Sequence, residues 1–251
     1  MRVRRLVAML TAAAVTGGCL EVTSLVTVNA DGSGTIEHTM LVRPAAPGQT
    51  TGPPVALSGS GIGGVLDRDE FLRLAERMGV RPVSLTPVTD GAFEGARAVY
   101  AFDDIGSVRV DPNPRAPVTF GFERRASGSV LTIQIAEGAA AEAVARIRQA
   151  PPIATLDPAL VEGLARMLDG FRVHLDVEVN GQIVSTNADY VSGSRITLLA
   201  VDMAQVLADP TRLAALQAQV RPDATLSDLR LSLNSLQGVK VNHPMVTIEF
   251  R

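Results

Sequence analysis

The sequence predicts an α+β fold: an antiparallel β-sheet built from hairpins, with helices inserted between strands and packed on one face. Three observations carry this expectation. Short segments that alternate apolar and polar residues recur along the chain, and several are joined by turns containing Gly, Asn or Asp. Helical patterns interrupt them without the regular strand–helix alternation of a doubly wound parallel sheet. The 251 residues are 46% hydrophobic and 20% charged, the balance of a folded chain with a real core.

The chain opens on Arg2, Arg4 and Arg5, then an uncharged Ala-rich run at 6–15, then Thr16-Gly17-Gly18 ahead of Cys19. This is the three-part layout of a secretory signal. The apolar run falls short of the roughly 18–20 residues that span a bilayer. Cys19 is the chain's one cysteine, and it stands where a small-residue cleavage site ends. The pattern resembles a bacterial lipobox, in which the cysteine becomes the lipidated N-terminus. Thr16 departs from the aliphatic residue usual three positions before that cysteine. Residues 1–18 are therefore expected to be a lipoprotein signal peptide, and 19–251 an extracytoplasmic domain held to a membrane by acyl chains such as palmitate on Cys19. Leu20 stands where an Asp would suggest retention at the inner membrane, which favours the outer membrane, facing the periplasm.

Two strands are predicted at 22–29 and 35–42, joined by the turn residues Ala30-Asp31-Gly32-Ser33-Gly34. Ile36, Met40 and Val42 fall on one face of the second strand, Glu37 and Thr39 on the other. Residues 44–64 carry four prolines and many Gly and Ser, and read as a mobile loop. Asp67 is a good N-cap for a helix with Glu70 three residues later. Phe71, Leu72, Ala75 and Met78 form its apolar stripe and Gly79 stops it. Strands follow at 81–88 and 96–102, with a turn at Asp90-Gly91, and a second hairpin joins 118–124 to 129–136. Ala content suggests a helix at 139–149. Asp157 caps a stronger one at 158–168, with Leu160, Val161, Leu164 and Leu168 on one face.

The stretch 171–179 is the cleanest strand: Phe171, Val173, Leu175, Val177 and Val179 alternate with Arg172, His174, Asp176 and Glu178. One face is expected to be buried and the other wet. Asn180-Gly181 is a strong hairpin signal, predicting that 182–186 returns along it. A strand at 195–200 follows Ser192-Gly193-Ser194. Short helices are expected at 203–208, 211–219 and 227–236, a helical subregion spanning 201–237, and strands at 239–242 and 245–250 close the chain. Pro-rich stretches at 111–117 and 151–152 are too short for linkers, so one continuous fold is expected.

The composition excludes several classes of chemistry. One cysteine forbids an intrachain disulfide framework or a Cys-rich zinc site. With 23 basic and 26 acidic residues there is no basic surface for nucleic acid. Gly59-x-Gly61-x-x-Gly64 matches a dinucleotide fingerprint in form, but the preceding residues make a poor strand, so a plain loop is the better reading. Asn29-x-Asp31-x-Ser33-Gly34-x-Ile36 resembles the start of an EF-hand calcium loop. The twelfth position is Met40 rather than Glu and the flanks alternate like strands, so a hairpin turn is the better reading. His38, His174 and His243 are dispersed and make no metal motif. No nucleophile elbow surrounds a serine. The carboxylates Asp103-Asp104 have no visible partner, and Asp67 and Asp69 suit a helix N-terminus. No cofactor, no metal and no catalytic residue are predicted.

The cysteine leading directly into 22–29 and Asp31-Gly32-Ser33-Gly34-Thr35, together with 179–188 and Ser192-Gly193-Ser194-Arg195-Ile196-Thr197-Leu198, resembles the uncharacterised bacterial surface lipoproteins of the mycobacterial LppM type. The resemblance covers the anchor, the first hairpin and 171–200. It implies an extracytoplasmic α+β body on a lipid tether, with a lipid-related or envelope-maintenance role and no catalytic residues to transfer. The expected function is a non-catalytic binding or structural role at the envelope, with an envelope protein as partner. The alternative is a module that binds a lipid or other hydrophobic ligand in an apolar cavity. A hydrolase comes third, and would show converging polar groups with perturbed pKa values.

Overall fold

The computed structural model describes residues 20–43, 67–110, 118–136, 155–221 and 224–251. Cys19, the Gly59–Gly64 motif, the loop 44–64, the helix expected at 139–149 and the Pro-rich stretches at 111–117 and 151–152 lie outside them.

The first hairpin forms as the alternation requires. β1 (Leu20–Val28) pairs antiparallel with β2 (Gly34–Val42) from Leu20 opposite Val42 to Val28 opposite Gly34. Gly32 makes the turn possible: its φ is +86°, and the Phe122 ring packs where a Cβ would stand. Helix α1 (Arg68–Met78) follows, then the hairpin of β3 (Arg81–Asp90) and β4 (Phe93–Phe102), with β4 on the free side of β2. β5 (Arg109–Val110), β6 (Val118–Arg125) and β7 (Gly128–Ile135) start a second sheet.

After α2 (Pro158–Met167) comes β8 (Arg172–Val179), which lies on the other side of β1 and runs parallel to it. That pair corrects the purely antiparallel expectation. The chain between β2 and β8 supplies the long crossover that parallel neighbours need. β9 (Ile183–Thr186) leaves for the second sheet. β10 (Val191–Ser192) and β11 (Arg195–Asp202) form a tight hairpin that adds to β8. Helices α3 (Met203–Leu207), α4 (Pro210–Gln219) and α5 (Leu226–Asn234) precede β12 (Val239–Val241), which lies on β11, and β13 (Met245–Phe250), which lies between β7 and β9. Among the described residues the result is α+β, with a mixed eight-stranded sheet, seven of whose strands run in the order β10-β11-β8-β1-β2-β4-β3 while β12 pairs off that path with β11, and a five-stranded sheet in the order β5-β6-β7-β13-β9.

The Asn180-Gly181 hairpin is not formed. A two-residue turn of the favoured type needs positive φ at its centre, and neither residue has it. Instead Asn180 N–H bonds to Val28 O, Gln182 and Arg251 exchange backbone hydrogen bonds of 2.8 and 3.1 Å, and the chain passes from one sheet to the other. Gly181 permits the crossing, since a Cβ there would stand 2.8 Å from Arg251 O.

Both sheets share one core. Val26, Val28 and Ile36 of the first sheet meet Leu131, Ile248 and Phe250 of the second, all with almost no exposed surface. Ser129 Oγ donates to Ala30 O (2.8 Å) and Ile105 N–H to Gly32 O (2.9 Å), so the second sheet is held at the end of β1 remote from Leu20. Four of the described helices divide between two clusters. Phe71, Leu74, Ala75 and Met78 of α1 join the shared core, whereas Val206, Leu216, Val220 and Leu229 of α3–α5 form their own cluster within the expected helical subregion.

The stripe of α1 is corrected by one position: Leu74 is buried, and Leu72 is 46% exposed. Leu160 of α2 is likewise exposed rather than part of a buried face. Asp67 caps α1 by accepting from Glu70 N–H at 2.8 Å, and Gly79 ends it in the left-handed region at φ +72°. Asp67→Ala is expected to cost about 1 kcal/mol, read as a small fall in Tm with unchanged far-UV circular dichroism; no change would mean the cap is redundant.

Candidate binding site

The polar groups that stand out lie on the inner face of the first sheet. Ser24 sits in β1 between Val22 and Val26, in the apolar register, and is 9% exposed. His38 sits opposite it in β2, between Ile36 and Met40. The Ser24 hydroxyl and His38 Nδ1 are 2.8 Å apart and share a hydrogen bond. His38 Nε2 is enclosed and has no partner. Next along the face, in β4, Tyr100 is fully buried and its hydroxyl also lacks a partner. The Tyr100 ring lies beneath α1, 5.0 Å from the Phe71 ring. Ala98 of β4 lies opposite His38 and Ala96 is the next inward residue, so small side chains flank the imidazole on that side.

The electrostatics follow from burial. Removal from water disfavours the imidazolium and holds the His38 pKa down to about 4. Burial raises the Tyr100 phenol, the Glu70 carboxylate raises it further, and Arg77 opposes both. At neutral pH the track is therefore uncharged: a serine hydroxyl, a neutral imidazole and a phenol. It can donate or accept hydrogen bonds in an apolar setting. An imidazole of such low basicity is a poor acceptor for a serine proton at neutral pH.

Alternation alone could have found this pair, because Ser24 and His38 are polar residues in phase with the apolar positions of two neighbouring strands. A second departure lies on the opposite face of the same sheet. Asp176, expected to be wet, is 9% exposed, and its Oδ1 has no hydrogen-bond partner. It stands between Leu25 of β1 and Thr197 of β11, beside a bulge at Thr197–Leu199 that disturbs the ladder. His174, on the same face of β8, is half-buried.

The calcium-like residues form the hairpin turn. Asp31 Oδ1 accepts from the Ser33 N–H (3.0 Å) and hydroxyl (2.6 Å), which lowers the Asp31 pKa. Asn29 Oδ1 accepts from Asn180 Nδ2, and Asn29 Nδ2 donates to Ser33 Oγ at 2.9 Å. These oxygens already serve protein donors. His243 faces Asp189 at 3.3 Å, and Arg230 of α5 pairs with the same carboxylate. Asp104 accepts from Gly106 N–H at the start of a single 3-10 turn, and Asp103 pairs with Arg81. Among the described residues no three His, Cys, Asp or Glu side chains gather as a metal site requires. An open cleft of about 240 Å³ lies between α4 and α5, lined by Leu216, Val220, Arg221, Asp228 and Leu229.

No family model matches the chain, and no curated protein does. Among solved structures it is similar to the NMR structure of the folded domain of LppM from Mycobacterium tuberculosis, at 16% identity and a TM-score of 0.31 over 71% of this chain and 80% of that one.

Proposed function

We propose that this chain is a lipid-anchored lipoprotein of the bacterial cell envelope whose body has a non-catalytic binding or structural role. The observation that carries the reading is the position of the chain's one cysteine: Cys19 follows a signal-like leader and immediately precedes Leu20, the first residue of β1. None of the described helices is long and apolar enough to cross a membrane; in this reading acyl chains on Cys19 supply the attachment. Leu20 after the cysteine favours the outer membrane, with the body facing the periplasm. The low basicity of His38 makes this imidazole a poor general base.

The second reading, a module for a lipid or other hydrophobic ligand, draws on the partnerless His38 Nε2 and Tyr100 hydroxyl amid apolar side chains. A ligand with an apolar body and one polar group would satisfy them. Metabolic labelling with a palmitate analogue tests the main reading. Wild-type protein is expected to be labelled and Cys19→Ala unlabelled; equal labelling of the two would remove the anchor. Lipid retained in native mass spectra of the purified body would favour the second reading over a purely structural role.

A further inference from the structure

We propose that the end of the first sheet at which β1 begins is a membrane-contact surface, lying against the headgroup layer of a lipid bilayer. The proposal rests on the lipid-anchor reading of Cys19 and adds the orientation of the body. One peptide bond joins Cys19 to Leu20, which is already paired with Val42. Neighbouring Cα atoms are about 3.8 Å apart. Acyl chains on Cys19 thus leave no spacer, and this end of the sheet cannot stand away from the bilayer.

The strand directions decide what else is brought there. Val42 lies opposite Glu94, Glu21 opposite Arg172, and Arg172 opposite Asp202. β3 ends at the same rim, and its turn returns through Ala92 to Phe93. The Arg43 guanidinium lies over the half-exposed Phe93 ring, 4.9 Å from its centroid. Phe171 packs beside Leu20, Val22 and Met40 and stays half-exposed. Aromatic rings flanked by arginines suit the headgroup level, where a ring buries its apolar body and a guanidinium stays wet.

Charge does not supply the orientation. Arg43 pairs with Asp169 at 3.9 Å, Arg172 pairs with Asp202 and Glu21 at 3.3 and 3.9 Å, and Asp90 and Glu94 add negative charge to the rim. The tether sets the orientation, so it should persist at high salt. β1 rises about 3.3 Å per residue, which puts the Ala30–Asp31 turn and the second sheet roughly 30 Å out from the headgroups.

The chain has no tryptophan, so a single introduced indole reports its own depth. Full-length lipidated protein carrying Phe93→Trp, Ala92→Trp or Ala30→Trp would be reconstituted into phosphatidylethanolamine–phosphatidylglycerol vesicles containing brominated lipid. Phe93→Trp and Ala92→Trp are expected to be quenched several-fold more strongly than Ala30→Trp, with blue-shifted emission. Equal quenching at the two ends, or stronger quenching of Ala30→Trp, would overturn the orientation. Ala92 is exposed in the turn, so its variant keeps the test intact should Phe93→Trp misfold. Lipidated protein that fails to float with vesicles would instead overturn the anchor reading. Protein that floats only when Cys19 is present, yet shows no rim quenching, overturns the orientation alone.

Discussion

Phe250→Ala is expected to cost about 3–5 kcal/mol and lower Tm by roughly 10 °C, the range for truncating a large ring in a packed core of a chain this long. Phe250 is 0% exposed and belongs to the core shared by both sheets. In β13 it faces Ser129 of β7 and Ile183 of β9, and its ring packs on Gly181, where the chain crosses between sheets. Removing the ring opens a cavity at that crossing, and the flanking backbone is tied by the Gln182–Arg251 hydrogen bonds and cannot collapse freely. Val184→Ala in the same region is the contrast. Val184 is exposed, so the change is expected to stay within about 0.5 kcal/mol. Thermal melts of the two variants check this. A Tm for Phe250→Ala close to that of wild type would mean that the two sheets do not depend on one core.

Local signals read well and non-local ones did not. The alternation around Val22–Val28 and Ile36–Met40 with the Asp31-Gly32 turn contains all the information the β1–β2 hairpin needs. The partner of β8 is different in kind. Phe171–Val179 shows that one face is apolar, but nothing in it says that the neighbour is β1, which is remote in sequence and parallel. Asn180-Gly181 misled for the same reason: its local preference for a hairpin is weaker than the pairing of 183–186 with β13, a strand at the far end of the chain. Leu72 and Leu74 flank the line of Phe71, Ala75 and Met78 on opposite sides, and only the seating of α1 over Tyr100 decides which one is buried. Ser24 and His38 are polar residues in the apolar phase, a signal that the alternation carries but that the sequence reading above does not use. That they meet, and that Tyr100 lies on the same face, depends on the register of three strands.

That register also makes stability depend on pH in a defined window. An imidazole in the unfolded chain has a pKa of about 6.5, whereas burial holds His38 at about 4 in the folded protein. Between these values the unfolded chain binds a proton that the folded protein does not. Stability therefore rises with pH across the window and falls as pH drops from about 6.5 to about 4. At 1.36 kcal/mol per pKa unit, the loss attributable to His38 approaches roughly 3 kcal/mol and levels off below the folded pKa. Carboxylates also titrate near the lower limit, so the informative quantity is a difference between proteins. The double variant Ser24→Ala, His38→Leu replaces the hydrogen-bonded pair by apolar groups and removes the titrating imidazole without leaving the serine unpartnered. Denaturant melts at closely spaced pH values are expected to show wild type losing stability relative to that variant between pH 6.5 and 4, and a constant difference above pH 7. Parallel curves throughout would mean that His38 is hydrated in the folded protein, and that its Nε2 and the Tyr100 hydroxyl do not share a dry inner face.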